Sequence, residues 1–105
     1  MNENKWKYIP GGPIQIDLSG CKYADQIHKK LKDSFGFPDY YGENWSAFWD
    51  CLRDFGISED SSREVIVYGI DLHSEELKTY TEKMVEIMKR AEKNFPLLHF
   101  VFKEC

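Results

Sequence analysis

Residues 37–52, FPDYYGENWSAFWDCL, hold the side chains with the clearest capacity for chemistry. This segment contains two Tyr, two Trp, two Phe and three acids, arranged around a Pro–Asp turn and a Gly. Rigid aromatic rings offer a large contact area at a small entropic cost, so they favour interfaces. Carboxylates form charge-assisted hydrogen bonds with Arg and Lys of a partner. The segment therefore predicts a surface that recognises another protein.

Catalytic and metal-binding chemistry has little support in the sequence. His28, His73 and His99 are scattered, with no HxxxH pattern and no Cys/His cluster, so no metal site is expected. His99 lies in an apolar strand, which favours a hydrogen-bonded structural histidine. Cys51 is a nucleophile only in principle, because it lies near the edge of an apolar helical stripe with no base nearby in sequence. Neither GxxxxGK[ST] nor GxGxxG occurs, so no cofactor is expected.

The number and spacing of the cysteines also fit a structural role. Three Cys, at 21, 51 and 105, form an odd number with no CxxC spacing. A chain of 105 residues can bury enough surface to fold without a disulfide or a metal. We therefore expect reduced, mostly structural thiols.

Length, composition and charge limit the class of protein. The 105 residues suit a single domain over 1–105, with 1–11 as an N-terminal arm or an extra strand. No apolar run approaches the roughly 18 residues that cross a bilayer, and the N-terminus lacks an apolar signal core, which predicts a cytoplasmic protein with no membrane partner. The net charge of −4 disfavours direct nucleic-acid binding and favours a basic partner protein.

The segment 37–52 must be positioned by the elements around it. Asn44 is a suitable N-cap for a helix whose apolar stripe is followed by Gly56, the expected end of the helix. The stripe comprises Trp45, Phe48, Trp49, Leu52 and Phe55. Asp50 and Asp54 fall on the opposite, outward face. In the extended loop before the helix, neighbouring side chains alternate, so one Tyr is expected to anchor inward and the other to present its ring outward.

The flanking patterns alternate between strand and helix. Alternation over Ile14–Leu18 predicts a strand, and a helix follows with Tyr23, Ile27, Leu31 and Phe35 on one face, ended by Gly36. The apolar run in 63–70 is typical of a strand covered on both faces. SEEL predicts the start of a short helix before a long one, and 97–102 predicts a last strand. Helical crossovers indicate parallel strands. The prediction is an α/β fold with a three-stranded, mainly parallel sheet and three to four helices.

The segment resembles the signature of the barstar family, small intracellular inhibitors of secreted ribonucleases such as barnase. YYGEN and WDCL stand at the family's spacing, and the order of elements fits over about residues 12–103. The resemblance implies an inhibitor that fills a ribonuclease active site with carboxylates in place of phosphate. It thereby implies a basic ribonuclease or a toxin nuclease domain as partner, an immunity-type role, and a monomer when free.

The resemblance also implies a set of partner-binding residues. Asp50 matches the family's central acid, and Tyr40 matches an aromatic that packs on the enzyme. Gly42 and Asn44 match the approaching loop, and Trp49 matches a residue that is partly core and partly interface. The full predicted set is Tyr40, Gly42, Asn44, Trp45, Ser46, Trp49, Asp50 and Phe55.

Three positions depart from the family pattern. The family usually has an acid where Ser46 stands and often another where Arg90 stands, while Arg53 adds a positive charge to the motif helix. The acidic patch is therefore thinner, which leaves the target open. A barstar-like interaction module with a non-ribonuclease partner is the alternative, and an enzyme or a nucleic-acid-binding module that stacks bases on Tyr40, Tyr41 and Trp45 is the contrasting class.

Overall fold

A computed structural model describes residues 6–59, 61–70 and 74–103. Within them the chain forms three strands and three helices in alternating groups. The elements are β1 (Ile14–Asp17), α1 (Ala24–Phe35), α2 (Trp45–Ser58), β2 (Arg63–Tyr68), α3 (Glu75–Asn94) and β3 (Leu98–Lys103). The predicted α/β fold class is confirmed.

The sheet is parallel throughout, with the strand order β1-β2-β3. Val65 pairs with Ile14 on one side and Phe100 on the other, and all three side chains enter the core. Since side chains alternate across a strand, the core lies against one face. Ile66 points to the other face, where it is buried but lies outside the core cluster. Strand β2 is thus buried on both faces, as its apolar run predicts, with the core on the face of Val65 and Val67.

Helix α1 ends where the sequence predicts. Gly36 adopts φ 72°, a left-handed conformation that favours Gly. Its carbonyl accepts a hydrogen bond of 2.8 Å from the backbone N–H of Lys7. A side chain at residue 36 would collide with that backbone, so this Gly both ends the helix and admits the N-terminal arm.

The described part of the N-terminal arm, residues 6–11, contains no strand. Trp6 packs against the core, stacked on Phe55 with centroids 6.3 Å apart and edge-on to Phe37 at 5.5 Å. Tyr8 is exposed. Residues 1–5, which the predicted N-terminal arm includes, lie outside the described residues.

Two predicted helix boundaries are wrong for physical reasons. Helix α2 continues past Gly56 to Ser58, because Gly56 is buried where the Phe95 ring crosses the helix closely. Helix α3 is one helix, and the segment SEEL is its first turn: the Ser74 side chain accepts a hydrogen bond from the Leu77 N–H at 3.4 Å. In sequence, a Gly where a helix is closely packed resembles a helix end, and the capped first turn of a long helix resembles a separate short helix.

We expect Gly56→Ala to destabilise the protein, although Ala improves helix propensity by about 1 kcal/mol. The added Cβ would lie 2.7 Å from Cγ of Phe95, too close for the base of a ring to avoid without a backbone shift. Overpacking of this kind costs about 1–3 kcal/mol, so the free energy of unfolding in urea should fall. Gly11→Ala is the control, since its Cβ would meet no atom within 4 Å. A Gly56→Ala protein as stable as the parent would contradict this account of the crossing.

Candidate partner-binding site

The loop before α2 separates its two tyrosines as predicted. Pro38 accepts a hydrogen bond of 3.0 Å from the Tyr41 N–H, which closes a turn. Tyr41 is 6% exposed and enters the core, whereas Tyr40 is 51% exposed and presents its ring to solvent. The inward ring anchors the loop, and the outward ring is available for contact.

Asn44 holds the junction between loop and helix. Its side-chain oxygen accepts from the Ala47 N–H at 2.8 Å, and its side-chain N–H donates to the Gly42 carbonyl at 3.2 Å. Between them Glu43 adopts φ 53°, a left-handed conformation that is uncommon for a residue with a side chain. The Asn44 side chain thus bonds to the backbone on both sides of Glu43, the strained residue. The bond to the Gly42 carbonyl also fixes the direction of that exposed backbone.

A buried histidine ties this loop to two helices. His28 of α1 is 1% exposed, and its Nδ1 and Nε2 each form a hydrogen bond of 2.6 Å, with the hydroxyls of Tyr41 and Tyr80 respectively. A neutral imidazole satisfies both, donating from one nitrogen and accepting at the other. The Trp45 ring covers the histidine, with centroids 4.5 Å apart.

The sequence does contain a signal for this histidine. His28 lies three and seven residues before Leu31 and Phe35, so helical periodicity places it on the buried face of α1. The prediction of a structural histidine was instead made for His99. That prediction is wrong, because His99 is exposed on β3, on the face away from the core.

Burial governs the ionisation of the histidine and its partners. Desolvation lowers the pKa of His28, and the negative charge of Glu43 opposes this in part. Desolvation raises the pKa of Tyr41 and of Tyr80. All three groups are therefore held neutral near pH 7, as a buried hydrogen-bonded group should be.

Of the three acids in residues 37–52, Asp50 lies on helix α2, whereas Asp39 and Glu43 lie in the loop before it. Asp39 already has two cations, with Lys7 Nζ at 2.7 Å and Lys32 Nζ at 3.2 Å, and these contacts lower its pKa. Glu43 lies in the strained turn. The Asp50 side chain is 65% exposed, and its contact with Arg53 is long, at 3.8 Å. Asp54, one turn further along α2, is also exposed.

Asp50 lies on one wall of a groove between α2 and α3 with a volume of about 420 Å³. The α2 wall consists of Trp45, Ser46, Trp49 and Asp50, and the α3 wall of Lys83, Glu86, Ile87 and Arg90. The guanidinium of Arg90 lies 5.2 Å from the centroid of the Trp49 ring, within the range of a cation–π contact. Sequence reasoning found the α2 wall but, Arg90 apart, none of the α3 wall.

The predicted site residues do not all lie in one surface. Five of them are exposed, and Trp45 and Trp49 are half-buried. The five are Tyr40, Gly42, Asn44, Ser46 and Asp50. Phe55 is 4% exposed and packs edge-on against Phe35 with centroids 5.1 Å apart, so it offers no surface to a partner in this conformation. Phe55 lies inward because it continues the buried stripe of α2.

Other candidate chemistry is weak. Cys51 is buried, and desolvation, followed by the nearby Asp54, raises its pKa to about 11. Cys21 is also buried with a raised pKa, so both behave as structural thiols, while Cys105 lies outside the described residues. The described residues contain no group of three His, Cys, Asp or Glu that could hold a metal ion. None of the described helices is long and apolar enough to span a bilayer.

Comparison with known proteins identifies the family of this chain. A model described as "Barstar (barnase inhibitor)" matches residues 13–103, which includes every strand and helix described above. The chain belongs to the Barstar family. A protein of Bacillus subtilis (strain 168) named "Putative ribonuclease inhibitor YrdF" is 30% identical over 79 residues, covering 75% of this chain and 84% of that protein. The resemblance of the loop–helix signature to the Barstar family is thereby confirmed.

We expect Tyr41→Phe to cost this Barstar-family chain more stability than Tyr80→Phe. Each removes one hydroxyl and leaves a nitrogen of His28 without its partner, which costs about 1–3 kcal/mol for a buried group. Tyr80 is partly exposed, so water can replace its hydroxyl more readily than that of Tyr41. Tyr8→Phe, at an exposed position, is the control for urea unfolding. Equal stability of Tyr41→Phe and Tyr8→Phe would show that the histidine contact contributes little.

We also expect stability to fall below about pH 6.5 through His28. Its pKa is lowered in the folded state, so the unfolded chain binds a proton first as the pH falls, and the folded state loses its advantage. The slope attributable to one proton is at most about 1.4 kcal/mol per pH unit. Between pH 7.5 and 5, the unfolding free energy of His28→Gln should depend less on pH than that of the parent. His99→Gln, at an exposed histidine, should retain the parent's slope; loss of the slope there instead would contradict the assignment.

Proposed function

We propose that this protein inhibits a ribonuclease by inserting its loop–helix surface into the active-site cleft. The observation that carries the proposal is the placement of Asp50: an exposed carboxylate whose contact with Arg53 is long, at 3.8 Å, on the wall of a groove next to the Trp49 ring. Membership of the Barstar family and the printed name of the Bacillus subtilis relative support a ribonuclease-inhibitor role.

The proposed mechanism substitutes carboxylate for phosphate. A ribonuclease binds its substrate's phosphates with cationic side chains, and Asp50 offers those cations an acceptor in charge-assisted, bidentate bonds. Tyr40 supplies a rigid ring for packing on the enzyme, and Gly42 a backbone that can approach closely. Inhibition then follows from occupying the cleft, with no chemical step on the inhibitor.

Rigidity of the surface supports tight binding. Immobilising side chains and loops on association costs free energy. A surface that is already ordered in the free protein avoids most of this cost. Here the Asn44 cap fixes the Gly42 carbonyl, and the His28–Tyr41 hydrogen bond fixes the loop from beneath. Few of the groups offered to a partner, apart from the Asp50 side chain, need to be ordered on binding.

Charge supports a basic protein partner over RNA. The net charge of −4 favours association with a cationic cleft and opposes contact with a phosphate backbone. The buried, high-pKa Cys51 supports a non-enzymatic role for this chain. We place it in the cytoplasm as a monomer that neutralises a secreted or toxin ribonuclease before the nuclease leaves the producing cell.

A second candidate is a barstar-like interaction module with a non-ribonuclease partner. It is favoured by Ser46 and Arg90, which stand in the groove where the family usually has acids. The two candidates differ in a direct assay: an inhibitor abolishes cleavage of RNA by its partner at equal concentration, and RNA competes with it. A complex that forms but leaves cleavage unchanged favours the interaction module.

We expect Asp50→Ala to weaken binding of the cognate ribonuclease far more than Asp54→Ala. Removing one member of a buried charge pair costs about 2–5 kcal/mol, a range to which the barnase–barstar complex itself contributes, and acts mainly on the off-rate. A rim acid such as Asp54 should cost less than about 1 kcal/mol and act on a salt-dependent on-rate. Surface plasmon resonance at two salt concentrations measures both.

Asp54→Ala serves as the matched control, since it removes the same charge one turn away on the same exposed face. Both variants should keep the parent's unfolding midpoint, because neither side chain is buried. Binding of Asp50→Ala within about threefold of the parent, roughly 0.65 kcal/mol, would remove Asp50 from the centre of the site.

A further inference from the structure

The groove between α2 and α3 has walls of opposite charge. On α3, Lys83, Glu86, Ile87 and Arg90 are spaced at i, i+3, i+4 and i+7, which places them on one face of the helix. That wall carries two cations and one carboxylate, so positive charge is in excess. The α2 wall carries Asp50 as its charged group. A purely basic partner surface fits the α3 wall poorly, although it suits the α2 wall.

The cations of the α3 wall have no ion-pair partner within the described parts of the chain. Among the described Lys and Arg side chains, Lys7, Lys32, Arg53 and Arg63 have a carboxylate oxygen within 4.0 Å, and the others do not. Neither Lys83 nor Arg90 has one, although Glu86 lies between them on the same face. Both side chains are exposed, so their charges are available to a partner.

Arg90 is also held in position. Its guanidinium lies 5.2 Å from the centroid of the Trp49 ring, and stacking on an aromatic face leaves the N–H groups at its edge free to donate. Trp45, Trp49 and Ile87 give the groove apolar parts against which an aliphatic stem can pack. The volume of about 420 Å³ has room for a side chain of a partner.

We propose that the partner carries an Asp or Glu whose carboxylate enters this groove and pairs with Arg90 and Lys83, beside the cationic cleft that receives Asp50. The inference rests on the proposed function and deepens it, because it defines which nuclease the inhibitor selects. A nuclease with a carboxylate at the edge of its cleft is attracted. A nuclease with a cation at that place is repelled, since like charges across an interface are costly.

Barnase is a suitable probe, because the family that inhibits it often has an acid where Arg90 stands. A partner that pairs with an acid at this place should repel Arg90. Arg90→Glu should bind barnase at least tenfold more tightly than the parent, mainly through a slower off-rate. Lys89→Glu is the matched control: it makes the same change in net charge at the next residue of α3, but Lys89 lines a different groove, beside Phe102. Its effect should stay under threefold and disappear in high salt, since it acts only through long-range steering.

Arg90→Gln guards against a folding defect in Arg90→Glu. It removes the charge and keeps a planar group near Trp49, so it should give a smaller gain of the same sign. The unfolding midpoint of each variant should match that of the parent, which shows that the affinities compare folded proteins.

A second set of probes supplies the missing acid. In barnase variants with single Arg or Lys residues at the edge of the active-site cleft replaced by Glu, at least one should bind the parent more tightly than unmodified barnase does. That gain should be lost with Arg90→Glu and retained with Lys89→Glu. A coupling of this kind is local, because the two inhibitor variants have the same net charge.

Two results would overturn the inference. One is an equal change in barnase affinity for Arg90→Glu and Lys89→Glu, which means that only net charge matters. The other is no binding of barnase by the parent or by Arg90→Glu, since removing the repelling cation should produce measurable binding. Neither result decides the proposed function, which is tested separately by Asp50→Ala with the cognate ribonuclease.

Discussion

The loop–helix surface proposed for binding depends on the pair of hydrogen bonds that His28 makes beneath it. Tyr41 belongs to the loop, His28 to α1 and Tyr80 to α3, so one imidazole joins three parts of the chain. A buried polar network is stable only when every member is satisfied, and the neutral ring satisfies both contacts. The position of Tyr40 and the start of α2 therefore follow from packing far from the exposed surface.

The same arrangement explains why a left-handed residue is tolerated in the loop. Glu43 adopts φ 53° in a segment fixed on one side by Tyr41 and on the other by the Asn44 cap. Strain of about 1–3 kcal/mol persists only where the surroundings determine the backbone independently. A loop held in this way presents one conformation to a partner, and association does not require it to be ordered again.

Local patterns predicted the scaffold well, and tertiary contacts account for what they missed. The inward and outward tyrosines, the Asn44 cap and the Gly36 end depend on neighbours in sequence, and each was predicted. The contacts of His28 join residues 13 and 52 positions apart, and Gly56 is shaped by Phe95. Phe55 also stacks on Trp6, in an arm whose packing no periodicity indicates. Such pairings arise only when distant elements meet.

Shape and charge are determined by different residues in this protein. The groove is formed by the packing of α2 on α3, which uses Trp45, Trp49 and Ile87. The charged groups at its rim, Asp50 and Arg90, are exposed, so they can vary at little cost to the fold. Stability therefore places few limits on them. Under the proposed mechanism the charge of the partner limits them instead, and the sign of the exposed residue Arg90 sets the selectivity among basic clefts while the scaffold stays the same.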